Sequence, residues 1–312
     1  MSDVDHPGSR PTGRMPRWLG GVSWQRDLRL PAVLLVIQLA GAAATVAGHH
    51  SATKHLRRRA SEERLQMARR AWVVLMKRLG YTQFASQGGD WGGAISNVMG
   101  HQAPTELLGI HVNFPGTVPP DVARAPQCGD PPPAGLSADE RRAYEQLNTL
   151  YTKRRAYSSM MGTRPQTLTG IADSPVGLAA WLLDHGDSYG QPAAPVTSAV
   201  LGHTANGHPA GDLTRDDVLD NITPYWLTNT AISAARLYWE NKLGLYNDAD
   251  VSVPAAVSAF PGEGYQAPRS WTERAYHNLM YYNQPDRGGH FAAWEEPELF
   301  ATEIRAAFKS LR

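Results

Sequence analysis

From residue 68 onward the apolar and polar positions follow a regular grammar. Ala71–Leu79 spaces Trp, Val, Leu and Met as one face of a helix, and Gly80 stands where a helix stops. A short extended stretch, Thr82–Gln87, runs into the turn Gly88-Gly89-Asp90-Trp91-Gly92-Gly93, and Ala94–Met99 then resumes a helical pattern. Leu108–Phe114 reads as the next strand, Pro115–Pro133 as a proline-dense loop, and Ser137–Tyr157 as a charged helix opened by the capping signal Ser137-Ala-Asp-Glu140. Between Leu168 and Leu243, helical segments alternate with a Gly-, Pro- and His-rich loop at Gly186–Gly211. The run Val251–Phe260 restarts a strand, Leu279–Tyr282 follows as another, and Glu298–Leu311 ends as an amphipathic helix. Strands that end in glycine-rich loops and feed helices predict an α/β sheet with its chemistry at the strand ends.

The first 67 residues read differently. Residues 1–80 carry 14 Lys and Arg against 5 Asp and Glu, a local excess of +9, while the remaining 232 carry 16 against 24. Residues 1–67 show no clean strand or helix pattern, and they include Arg57-Arg58-Arg59 and an uncharged run from Pro31 to Gly48. Three readings compete for that run: a membrane anchor through residues 31–48, a secretory signal, whose apolar region would lie nearer the N-terminus than residue 31, and a buried strand or helix; a segment that is not properly folded is the remaining alternative. A spanning helix wants about 20 strongly apolar residues, and this run is diluted by alanine, glycine and Gln38. Over the whole chain, 30 basic residues balance 29 acidic ones, so nothing points to nucleic acid as a partner. A single cysteine, Cys128, excludes an internal disulfide and a cysteine-rich metal site. A globular composition and 312 residues allow one large α/β domain with an insertion.

The candidate chemistry lies at three points. In Gly88-x-Asp90-x-Gly92, small residues two positions either side allow a tight strand-to-helix turn that presents one side chain above the sheet. Here that side chain is a carboxylate. As a nucleophile it attacks an sp³ carbon and forms an alkyl ester, which suits epoxides or haloalkanes; the alternative is an ordinary aspartate cap of the following helix. His290, in Arg287-Gly288-Gly289-His290-Phe291 after the last strand, is placed in chain order to act as general base. Glu263, directly after the Val251–Phe260 strand, is the candidate to orient that imidazole, with Asp286 and Asp173 as competitors.

Five segments, in order, resemble the microsomal-type epoxide hydrolase family of α/β hydrolases. They are Gln87-Gly-Gly-Asp-Trp-Gly92, Thr163-Arg-Pro-Gln-Thr-Leu168, Asp173-Ser-Pro-Val-Gly-Leu-Ala-Ala-Trp181, Arg236-Leu-Tyr-Trp-Glu-Asn241 and Arg287-Gly-Gly-His-Phe-Ala-Ala-Trp294. The resemblance implies Asp90 as nucleophile, His290 as base, Glu263 as its acid partner and the Trp91 N–H as an oxyanion donor. It also implies Tyr157 and Tyr238 as the pair that activates the epoxide oxygen; with 12 tyrosines in the chain, spacing alone could not select them. The implied fold is an α/β hydrolase with core segments 68–140 and 248–312 and an inserted helical lid at 141–247. The implied reaction turns a small-molecule epoxide into a vicinal diol without metal or organic cofactor, in the cytoplasm or at a membrane through residues 31–48. An inactive homologue and a haloalkane dehalogenase-like hydrolase are the competing readings.

One departure from the family pattern stands out. The family takes its second oxyanion donor from a His-Gly-x-Pro loop upstream of the elbow, and no such sequence occurs in residues 1–89. Its absence leads to the expectation that residues 1–67 are an atypical or out-of-frame start, with the N-terminal part of the core missing or non-native.

Overall fold

The computed structural model describes residues 70–153, 155–183, 194–205, 207, 209–241 and 250–311, together with the backbone of one strand at residues 32–37. Its centre is a five-stranded parallel sheet in the order β1 (Ala32–Ile37), β2 (Gln83–Gly88), β3 (Leu107–Val112), β4 (Ala255–Ser258) and β5 (Leu279–Asn283). Strands buried on both faces need continuous small or apolar residues, and every residue of β4, Ala-Ala-Val-Ser, is buried.

Helices link the parallel strands. Helix α1 covers residues 70–78 and stops at Gly80, whose φ of +86° is a conformation glycine adopts without strain. Helix α2 (Asp90–Gln102) joins β2 to β3 and packs Ile95 and Met99 onto Phe84, Ile110 and Val257 of the sheet. The connection from β3 to β4 carries α3 (Pro120–Cys128), α4 (Ala138–Lys153), α5 (Ala156–Thr163), α6 (Gly170–Asp173), α7 (Pro175–Leu183), α8 (Ala194–Leu201), α9 (Arg215–Thr228) and α10 (Ala231–Glu240). Helix α11 (Arg269–Ala275) leads into β5, and α12 (Ala292–Glu295) and α13 (Pro297–Ala307) follow it.

The long connection has two parts. Helices α3 and α4 bury Val122, Tyr144 and Leu147 against Tyr265 and Trp271 beside the sheet. The helices from α5 to α10 enclose a core of their own around Leu168, Ile171, Leu178, Val218, Ile222 and Ala235. Tyr238 packs against both this core and the cluster under the sheet.

Several expectations are met and several are corrected. The capping box forms: the Ser137 N–H donates to Glu140 Oε2 at 2.9 Å and the Glu140 N–H to Ser137 Oγ at 3.3 Å, an arrangement that adds about 1 kcal/mol to such a helix. The stretch Pro115–Pro133, read as loop, contains α3, because Pro120 in the first turn costs no hydrogen bond and favours helix initiation. Within the loop expected at Gly186–Gly211, residues 194–201 form α8, where Val196 and Ala199 find apolar partners. The strand expected over Val251–Phe260 is cut to β4, preceded by an isolated bridge from Val251 to Tyr276.

The region before residue 68, read as lacking strand pattern, supplies β1. Its Ala-Val-Leu-Leu-Val-Ile run pairs with β2 in register from Ala32 opposite Gln83 to Ile37 opposite Gly88. The strand reading of the Pro31–Gly48 run therefore holds for residues 32–37, and residues 31 and 38–48 lie outside the described set. Among the described residues, no helix is long and apolar enough to cross a membrane.

Candidate active site

Register decides where the chemistry gathers. Gly88 pairs with Val112, Val112 with Val257 and Val257 with Tyr282, so β2 to β5 end at one edge of the sheet. The loops leaving these strands carry Asp90, Glu263 and His290, at the place where open α/β sheets bind their ligands.

Asp90 is held in the left-handed region at φ +47°, one of three non-glycine residues so placed among the described residues. Such a conformation costs roughly 1–3 kcal/mol and persists only where its surroundings enforce it. The enforcement is steric and polar. A Cβ on Gly88 would stand 2.1 Å from the backbone of Gly92, and one on Gly93 would stand 2.9 Å from the Phe114 carbonyl oxygen. Beneath the turn, buried Gln87 donates from Nε2 to Asn113 Oδ1 at 2.9 Å, and the Asn113 N–H donates to the Gly88 carbonyl at 3.3 Å. Neither Gln87 nor Asn113 was picked out as a supporting residue by sequence reasoning, since an amide pair across two strands has no sequence spacing.

The histidine and its carboxylate partner meet because their loops are bridged. Gly262 pairs with Gly289, and the Gly262 N–H donates to the Gly288 carbonyl at 3.0 Å. One residue further on in each loop, Glu263 and His290 face each other, with His290 Nδ1 at 2.9 Å from both Glu263 oxygens. The other ring nitrogen, Nε2, lies 2.9 Å from Asp90 Oδ2. Asp90 Oδ1 is buried and has no hydrogen-bond partner among the described residues. Of the two competitors to Glu263, Asp286 points to solvent beside Arg287, and Asp173 lies at the end of α6.

Burial of the imidazole lowers its pKa, but the Glu263 and Asp90 carboxylates outweigh this and hold His290 well above the usual 6.5. Aromatic edges wall the ring: Phe114 at 5.7 Å and Phe291 at 4.8 Å between centroids, both edge-on.

Above the elbow stand the two tyrosines, Tyr157 from α5 and Tyr238 from α10, ring centroids 5.7 Å apart and nearly perpendicular. Tyr238 also meets Trp91 edge-on at 5.6 Å. Burial first, then neighbouring Tyr157 and Asp90, pushes the Tyr238 hydroxyl well above 10, so it stays a neutral donor at pH 7. Trp91 lies in the first turn of α2, where backbone N–H groups have no intrahelical acceptor. Thus Asp90 with its neighbour Trp91, Glu263, His290, Tyr157 and Tyr238 converge on one place from five separate stretches of chain. Among the described residues, no group of three or more His, Cys, Asp or Glu side chains is arranged to hold a metal ion.

A parallel sheet, a strained strand-to-helix turn carrying the aspartate, and a histidine–carboxylate pair on later loops define the class: an α/β hydrolase with a carboxylate at its elbow. No protein-family model matches the chain. Individual proteins do. The chain is 42% identical over 245 residues to the "Putative epoxide hydrolase" of Stigmatella aurantiaca (strain DW4/3-1), covering 78% of this chain and 50% of that protein. It is 33% identical over 249 residues to epoxide hydrolase 1 of Sus scrofa, covering 76% and 53%. The crystal structure of juvenile hormone epoxide hydrolase from the silkworm Bombyx mori superposes with a TM-score of 0.61 at 28% identity, over 77% of this chain and 57% of that one. The structure of Aspergillus niger epoxide hydrolase gives 0.62 at 26% identity, over 80% and 58%. Over its matched length, the chain is a homologue of the epoxide hydrolases of α/β-hydrolase fold. It spans about half the length of the curated relatives it matches.

Proposed function

We propose that this chain hydrolyses a small-molecule epoxide to a vicinal diol through an ester on Asp90. The observation that carries the reading is the continuous chain Glu263–His290–Asp90 beneath two perpendicular tyrosines.

In the first step an Asp90 carboxylate oxygen attacks one ring carbon. The carbon–oxygen bond breaks, and its electron pair stays on the ring oxygen, which takes a proton from Tyr157 or Tyr238. A phenol suits this task because it donates while neutral. The product is a hydroxyalkyl ester and a tyrosinate.

Ester formation removes the negative charge of Asp90, one of the two carboxylates that raise the His290 pKa. The imidazolium then gives its proton to the tyrosinate, and the neutral imidazole takes a proton from water while Glu263 stabilises the imidazolium that re-forms. The hydroxide adds to the ester carbonyl carbon, and the tetrahedral oxyanion is met by the Trp91 N–H. Collapse of that intermediate expels the alkoxide, which takes the proton of the added hydroxyl and leaves as the diol, restoring the Asp90 carboxylate. His290 ends protonated as it began, beside the restored Asp90 carboxylate, so the sum is epoxide plus water to diol. One such oxyanion donor is worth roughly 3 kcal/mol.

The helices from α5 to α10 are read as a lid, expected over residues 141–247, that delivers both tyrosines. A lone, unpaired, exposed cysteine, Cys128, fits a reducing compartment, and the cytoplasm is the proposed location.

The test is a single turnover of styrene oxide in water enriched in heavy oxygen, with product and protein analysed by mass. The ester route puts the label into the Asp90 side chain and leaves the first diol unlabelled. Label in the first diol alone would mean direct attack by water and would overturn the reading.

A further inference from the structure

A third carboxylate lies beside the imidazole and has no part in the scheme above. Glu295, the last residue of α12, is buried to 2% exposure. Its Oε1 accepts the Phe291 N–H at 2.9 Å, and its carboxylate also receives the Gly289 N–H. The contact is close: a Cβ on Gly289 would stand 2.9 Å from Glu295 Oε2. These two donors are the residues immediately before and after His290. The charged groups around the Glu295 carboxylate are His290 and Glu263. Burial raises its pKa to about 7, a cost that hydrogen bonds to backbone only partly offset.

Its backbone is fixed as well. The Asp212 N–H, from the segment between α8 and α9, donates to the Glu295 carbonyl at 2.7 Å. At Gly211, where φ is +62°, a Cβ would stand 2.4 Å from that same oxygen. The helical insertion is thus seated on the residue that grips the histidine loop.

We propose that Glu295 is a positioning residue for the His290 step: by clasping the backbone on both sides of the imidazole, it serves hydrolysis of the ester and not its formation. The proposal rests on the ester reading given above. Asp90 itself is positioned by Gly88, Gly93 and Asn113, so loss of Glu295 leaves the attacking carboxylate where it is. A base displaced by an ångström loses about 10²-fold in rate, and the penalty falls on the step in which the base takes a proton.

The two half-reactions separate the possibilities. Single-turnover mixing with styrene oxide, quenched and read by intact mass, gives the rates of ester formation and ester decay for wild type, Glu295→Ala and Glu295→Gln. In Glu295→Ala, formation is expected within about threefold of wild type and decay slowed about tenfold or more, so the ester accumulates. Glu295→Gln keeps an acceptor for the Phe291 N–H and is expected to fall between the two. It also removes a charge near His290, whose other facing carboxylates are Asp90 and Glu263, so its decay rate should depend on pH at lower values than wild type. Equal slowing of both half-reactions, or no slowing of decay in a folded Glu295→Gln protein, overturns the positioning role. If wild type forms no ester at all, the underlying reading fails first. If Glu295→Ala does not fold, the Glu295→Gln pH profile decides alone.

Discussion

Asp90 and His290, 200 positions apart in the chain, meet at 2.9 Å between Oδ2 and Nε2. One carboxylate oxygen is engaged by the imidazole, and the other is buried without a partner. The pair therefore leaves one Asp90 oxygen free of hydrogen bonds among the described residues, with the imidazole on the other.

Removing the two members of this pair should have opposite effects on the covalent intermediate. Asp90→Ala is expected to lower diol formation by about 10⁴-fold or more and to give no mass adduct with styrene oxide. His290→Gln is expected to form the adduct and to hold it, because hydrolysis lacks its base. Intact-mass analysis after incubation distinguishes them, and an adduct on the Asp90→Ala protein would refute the assignment.

Each tyrosine should contribute to ring opening alone. Tyr157→Phe and Tyr238→Phe are each expected to slow ester formation by about 10- to 10²-fold, and the double change by more than either. Decay of ester already formed should change little. Rapid-quench kinetics with one epoxide checks both rates on the same samples.

The elbow makes two different demands on glycine, and they can be told apart. At Gly88 a Cβ would collide at 2.1 Å with Gly92, so Gly88→Ala should abolish the soluble fold or cost about 3 kcal/mol or more. At Gly80 the space is open but φ is +86°, so Gly80→Ala should cost only about 1 kcal/mol. Urea denaturation of the two variants measures the difference, and comparable losses would contradict the steric account.

A buried histidine is expected to make stability fall in acid. His111 is fully buried, with Nε2 3.0 Å from Ser258 Oγ, which in turn donates to Glu303 Oε2 at 2.7 Å. Burial lowers the His111 pKa from 6.5 to about 3. The unfolded chain takes a proton near 6.5 and the folded one does not until about 3, so this contribution is present above pH 6.5 and is lost as pH falls. A shift of that size corresponds to about 5 kcal/mol at full expression. Thermal midpoints measured from pH 7 down to pH 4 should decline in wild type and decline less steeply in His111→Gln. Equal slopes would show that another group governs acid unfolding.

Much of the fold was legible along the chain. The pattern at Gln83–Gly88 followed by glycines, the capping box at Ser137 and the apolar run ending at Phe260 are local signals, set by neighbours within a few residues. Helix α3 was hidden because proline counts as a breaker until it occupies a first turn. Strand β1 stood among open readings of the Pro31–Gly48 run, because Ala32–Ile37 is settled as a strand only when Gln83–Gly88 lies beside it to share hydrogen bonds.

The sequence by itself determined that an aspartate would stand on a tight glycine turn and that a histidine would follow in a glycine-flanked loop. Those outcomes depend on side-chain size and backbone freedom, which each residue carries with it. The tertiary structure decided between Glu263 and its competitors at the imidazole, brought Tyr157 and Tyr238, selected from twelve tyrosines only by resemblance, to each other above the elbow, and alone revealed that Glu295 grips the histidine loop. Each of these is a distance between segments remote in sequence, or between loops whose paths the packing fixes. Such distances come from sheet register and buried contacts, which no local pattern encodes.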